Sequence, residues 1–194
     1  MKRFLVGFLL VFILSACSQV ENDEILHTQN VEIPSTIFTS EKQNSVIDEE
    51  EIKLSIKTYL DSFEELSNAS EPFQEMIYEE QELNTEDLDK FDKINALTKE
   101  NDENFSNYIL NNTLPKDYRE ESKRISRYIT GVNELLYEID GMVDRVTDDA
   151  SKGVIPKVNF TSIIDKFDGV NGKEQKKIEK FLHKKNIETK AFER

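Results

Sequence analysis

Ile125-Ser126-Arg127-Tyr128-Ile129-Thr130-Gly131-Val132-Asn133-Glu134-Leu135-Leu136-Tyr137-Glu138-Ile139 decides the fold of this chain. Ile125, Ile129, Val132, Leu136 and Ile139 step by four and three, and Val143 and Val146 continue the series. That spacing lines one face of a helix, whereas a strand would need strict alternation. The seam reaches back through Ser122 to Tyr118, and Pro115 sits in the first turn, where a missing N–H costs nothing. A helix over 115–149 is predicted. Gly131 and Gly141 each weaken it by roughly 1 kcal/mol relative to alanine. They also leave room for a neighbour to approach closely.

Two more seams lie upstream. Ile52, Ile56, Tyr59, Phe63, Leu66, Ser70, Phe73 and Ile77 mark a helix over 48–83. Pro72 interrupts it without changing its phase, which reads as one kinked helix, with Ser70 placed to cap a new one if the chain breaks there. Asn84-Thr85-Glu86-Asp87 is a turn leading into a capped start with early acidic residues. The helix it opens, 85–112, carries Leu88, Phe91, Asn95, Thr98, Asp102, Phe105 and Ile109, a seam with a polar middle. Three long seams joined by short turns predict an all-α fold, an antiparallel three-helix bundle with helices on the order of 45 Å long. An extended coiled-coil hairpin and a homo-oligomer are the alternatives. A loop at 151–159 and two short helices, 160–168 and 173–187, complete a helical domain over 48–194. Asp165, Asp168, Gly169, Asn171 and Glu174 look superficially like a calcium loop. Placing either Gly169 or Gly172 sixth puts Ile164 or Phe167 first, so the stretch reads as a turn.

The N-terminus has a different character. Met1-Lys2-Arg3, an apolar run from Phe4 to Leu14 and then Ser15-Ala16-Cys17 have the order of a secretory leader. The run is too short for a comfortable membrane span. Leu14-Ser15-Ala16-Cys17 resembles the lipobox of bacterial lipoproteins. That resemblance implies cleavage after residue 16, a diacylglyceryl group on Cys17, and a mature protein lipid-anchored to the outer face of the cytoplasmic membrane. Cys17 is the single cysteine, so no disulfide forms within the chain. Residues 17–47 read as the lipidated N-terminus and a flexible tether, polar and without a helical period. Docking of Val31, Ile33, Ile37 and Phe38 on the domain is the other reading.

Composition narrows function without naming it. The net charge is −14 over 194 residues. Such an acidic chain repels nucleic acid, and it suggests no basic patch for phosphates or anionic lipid. Six glycines, four prolines and no tryptophan argue against a loop-rich enzyme or an all-β domain. His27 and His183 lack ligand spacing, and neither a phosphate loop nor a nucleophile elbow is present, so no catalytic residue, metal site or cofactor is expected.

The one local oddity is the polar middle of the second seam. Folding the chain about Asn84 sets Ser70 opposite Thr98. Folding it about Thr113 sets Asp102 near Ser122 and Arg124. Ser70, Asn95, Thr98, Asp102 and Ser122 then form a polar waist, with Arg124 or Arg127 placed to neutralise Asp102. Heptad phase points Asp102 inward and leaves Asn101 at the edge of that face. The waist serves either to fix register or to hold a small ligand or cation. As a register device, Asp102→Leu would leave the fold intact and could raise thermal stability.

Asn101-Asp102-Glu103-Asn104-Phe105 resembles the Asn-Asp-x-x-Phe signature after which a family of Gram-positive lipoproteins is named. The resemblance implies that Asn101, Asp102 and Phe105 matter, and it implies no activity. A looser similarity, of architecture alone, is to helical, charge-rich lipoproteins thought to bind cell wall. The expected role is that of a membrane-anchored interaction module for an envelope protein or cell-wall component.

Overall fold

The computed structural model describes residues 28–79, 81–151, 167 and 169–192, with 139–151 described as backbone. Its helices are α1 (Glu49–Tyr78), α2 (Thr85–Asn111), α3 (Lys116–Ser151) and α4 (Gly172–Lys185), and a 3-10 turn spans Thr28–Asn30. No strand occurs among the described residues, and the fold is all-α. The leader, Cys17 and the side chains of the seam from Ile139 onward lie outside the described residues. So does the expected helix 160–168, except Phe167, which stands in a turn. No described helix is long and apolar enough to cross a membrane.

Local chemistry sets the helix starts. Asp48 accepts the Glu51 N–H at 2.9 Å, and Glu49, Glu50 and Glu51 fill the first turn of α1. At the start of α2 the Asn84 side chain accepts the Asp87 N–H at 3.0 Å and donates to the Asp87 carboxylate at 2.6 Å. α1 runs through Pro72, and Leu66, Ala69 and Phe73 are buried on either side of it. Ser70 caps nothing: its hydroxyl donates to the Ser67 carbonyl one turn back. α1 stops at Tyr78, short of the expected 83.

Two apolar clusters fill the bundle. The larger joins Ile52, Ile56, Tyr59 and Leu60 of α1 to Phe105, Tyr108 and Ile109 of α2 and to Tyr118, Ile125 and Ile129 of α3. Ile178, Phe181 and Leu182 of α4 close it from outside, as expected of a short covering helix. The smaller holds Leu66, Ala69, Phe73 and Ile94. At Gly131 a side chain has no room: a Cβ there would lie 2.7 Å from Val170 Cγ2, so the neighbour that the glycine admits is the turn before α4.

The expectation of a solvated tether is corrected from Thr28 onward. Val31, Ile33 and Ile37 pack on the smaller cluster, and Phe38 and Ile47 are core members of the larger one. Near its end this arm pairs with the α2–α3 connection. Val46 bridges Thr113 in parallel, the Ile47 N–H donates to the Thr113 carbonyl at 3.0 Å, and the Thr113 N–H donates to the Ser45 carbonyl at 2.8 Å. The physical reason is burial: Phe38 and Ile47 removed from water contribute roughly 1.5–3 kcal/mol each. The packing of Val31, Ile33 and Ile37 and the backbone hydrogen bonds to Asn101, Asn104 and Thr113 add to them against the ordering of the segment.

Candidate functional site

Asn101 and Asp102 lie on the buried side of α2. Asn101, expected at the edge, is the more enclosed of the two at 1% exposure against 8% for Asp102. The α2 seam is rotated by one residue from its expected phase in the first half. Asp87, Ile94 and Asn101 are buried, while Leu88 is exposed and Asn95 half-buried.

Asn101 and Asn104 hold the arm. The Asn101 side-chain oxygen accepts the Phe38 N–H at 2.9 Å, and the Asn104 side-chain nitrogen donates to the Phe38 carbonyl at 3.1 Å. Residues three apart on a helix face the same way, so two amides satisfy both backbone groups of one extended residue. The Asn101 nitrogen turns to α1 and donates to the Tyr59 carbonyl at 3.3 Å. Phe105 completes the grip. Its ring stacks on Tyr59 at 4.1 Å between centroids and meets the edge of Phe38 at 5.3 Å.

Asp102 faces the bundle interior. Its two carboxylate oxygens accept the Tyr59 hydroxyl at 2.6 Å and the Asn133 side-chain N–H at 2.9 Å, which ties α1, α2 and α3 at one level. Burial pushes the Asp102 carboxyl above its ordinary range, while the hydrogen bonds from Tyr59, Asn133 and Thr130 pull it back. Burial and the adjacent Asp102 hold the Tyr59 phenol well above its usual value, so it stays the donor.

Part of the expected waist forms and part does not. Ser70 and Thr98 line one cavity of about 30 Å³ together with Ser67, Gln74, Asn95 and Asn133, as the fold about Asn84 requires. Each hydroxyl bonds within its own helix, Thr98 to the Ile94 carbonyl at 3.0 Å. Ser122 is elsewhere. Asp102 stands level with Asn133, roughly two and a half to three turns further along α3 than the expected Arg124 and Ser122. The Asn112 backbone is extended, and Thr113 follows into the bridge with Val46. An extended residue advances about 3.3 Å against 1.5 Å in a helix, so α3 begins beyond the end of α2 and must run back. Neither arginine neutralises Asp102. Arg124 pairs with Glu121 and with Glu174, and the Arg127 Nε donates to the Lys123 carbonyl.

Ser122 is fully buried at 0% exposure, and its hydroxyl has no hydrogen-bond partner among the described residues. An unmet buried hydroxyl costs about 1–3 kcal/mol. Ser122→Ala should therefore stabilise the protein by about 1 kcal/mol, read as a higher urea midpoint with an unchanged slope.

Sequence reasoning missed Tyr59 as the donor to Asp102, and it missed Asn133 and Asn104, while docking of Phe38 stood as its second reading. Asn133 carried one usable signal, being the uncharged amide inside the strongest apolar seam. No protein-family model, no curated protein and no solved structure matches the chain.

Proposed function

We propose that this chain is an exported lipoprotein, anchored through Cys17 to the outer face of a bacterial cytoplasmic membrane, whose helical body docks on an envelope protein or a cell-wall component. The leader and lipobox residues support the anchor. One observation carries the choice of docking over ligand capture. The polar ends of Asn101 and Asp102 and the side-chain nitrogen of Asn104 are spent on internal hydrogen bonds, and the adjoining cavity is about 30 Å³. Such a space admits one or two waters and no sugar, peptide or nucleotide. Recognition then falls to the outer surface, and the Asn-Asp-x-x-Phe stretch builds the body that presents it.

Photo-crosslinking in cells from Leu54 and Leu110, exposed at 64% and 63%, tests the reading. A reproducible envelope partner is expected with the native chain, and Cys17→Ala should move the protein off the membrane and abolish that capture. Retention of Cys17→Ala on the membrane would overturn the lipid anchor. Absence of any reproducible partner from either position would overturn docking by these surfaces.

A further inference from the structure

The acidic average of the chain conceals a basic helix. α4 holds Lys173, Lys176, Lys177, Lys180, Lys184 and Lys185 against Glu174 and Glu179. Its inward face is apolar, with Ile178, Phe181 and Leu182 buried. Lys173, Lys176, Lys180 and Lys184 are all exposed and follow one another by three, four and four residues. At 100° per residue they occupy one outward stripe, a row of about 17 Å.

The other two lysines differ. Lys177 pairs with Glu174, and Lys185 pairs with Glu49 and Asp117. The four stripe lysines have no ion pair among the described residues. The helix that carries them is firmly held. The Asn171 side chain caps its start by accepting the N–H groups of Lys173 and Glu174, and Asn186 closes its end in the left-handed conformation at φ 53°. Arg124–Glu174 and the edge contact of Phe181 with Tyr118 bind it to α3.

A protein of net charge −14 gains no general solubility from lining up four unpaired cations on one short helix. We propose that the α4 stripe is a docking surface for an anionic phospholipid bilayer. This rests on the membrane-anchored reading above. Charge complementarity selects the occupant. A row of cations without an exposed apolar side chain suits contact with phosphate headgroups at the surface, not insertion among acyl chains. The acidic surfaces elsewhere on the body are screened beyond about 8 Å at physiological salt, so they do not cancel the stripe at contact. Each lysine at such a surface strengthens binding roughly fivefold, which is weak alone and sufficient once an anchor holds the body nearby.

The test adds the full lipidated chain to preformed vesicles of phosphatidylglycerol or of phosphatidylcholine. A membrane-impermeant amine reagent is then applied, with mass-spectrometric readout at each lysine. The expected result is flotation with both vesicles. Labelling of Lys173, Lys176, Lys180 and Lys184 should be at least fivefold slower on phosphatidylglycerol alone, while exposed Lys93 on α2 reacts alike on both. Lys173→Glu with Lys180→Glu, or 0.5 M salt, should restore labelling of Lys184. A chain that floats with neither vesicle overturns the anchor and the proposal with it. A chain that floats with both but labels equally overturns the stripe proposal alone. Protection by inorganic polyphosphate on phosphatidylcholine, with none on phosphatidylglycerol, assigns the stripe to a soluble polyanion and overturns it as well.

Discussion

Asp102→Leu should destabilise the protein by about 3 kcal/mol, because it leaves a buried tyrosine hydroxyl and a buried amide without their acceptor. The sequence alone pointed the other way, to a register device that leucine could replace. The bonds to Tyr59 at 2.6 Å and Asn133 at 2.9 Å reverse that expectation. Two controls separate hydrogen bonding from charge. Asp102→Asn keeps an acceptor for Tyr59 and, with the Asn133 amide turned, a partner for Asn133, so its loss should stay within about 1 kcal/mol. Tyr59→Phe combined with Asp102→Leu removes one orphan and should recover part of the deficit in a double-mutant cycle. The pH dependence has a defined sign. Burial raises the folded-state pKa of Asp102, so its ionised form works against the fold above that pKa. The penalty fades as pH falls through the folded pKa toward the unfolded value, and the native chain should gain on Asp102→Asn over that window. Urea midpoints at neutral and acidic pH check both statements, and a neutral Asp102→Leu would refute the network.

Phe38→Ala is the second large effect. Phe38 is 3% exposed, with its ring against Phe105 and Tyr108. Its removal costs about 3–4 kcal/mol as a buried phenylalanine truncation. The loss should also have a local signature that Asp102→Leu lacks. The arm adjoins the bundle through a few side chains and the short bridge at Val46, so it opens at lower cost than the helices. Limited proteolysis of Phe38→Ala should cut first between residues 28 and 47 and leave α1 to α4 intact. Asn101→Ala should show the same preference more weakly, since it removes one of the two amides that hold Phe38. Uniform digestion of the whole chain would show that the arm is not a separate unit.

How much of this was legible beforehand depends on what kind of order each part uses. The three long helices were readable because periodic apolar residues and local caps act over short stretches. Ser70 opposite Thr98 was readable because a tight turn fixes the α1–α2 register. Ser122 opposite Asp102 was not, because the α2–α3 connection is extended and its length in space depends on pairing with residues 45–47. Asn101 was assigned to an edge because a heptad drifts against 3.6 residues per turn, and one residue of drift exchanges Asn101 with Asn95 as the buried amide. Docking of the arm stood only as the second reading because its polar composition outweighs four apolar side chains that only the finished bundle can bury. The basic stripe was missed because net charge is an average, and α4 is a short part of it.

The docked arm also shortens the leash. With the anchor proposed at Cys17, the leash would run from residue 17 to the docked Thr28, a contour of at most about 40 Å. A free segment from 17 to 47 would reach at most about 110 Å. Under that anchor, holding Phe38 would confine the body to a layer next to the bilayer, in a volume on the order of twenty times smaller, with encounters there more frequent by the same factor. With that anchor, the grip of Asn101 and Asn104 on one backbone unit would set how far from the membrane this protein can search.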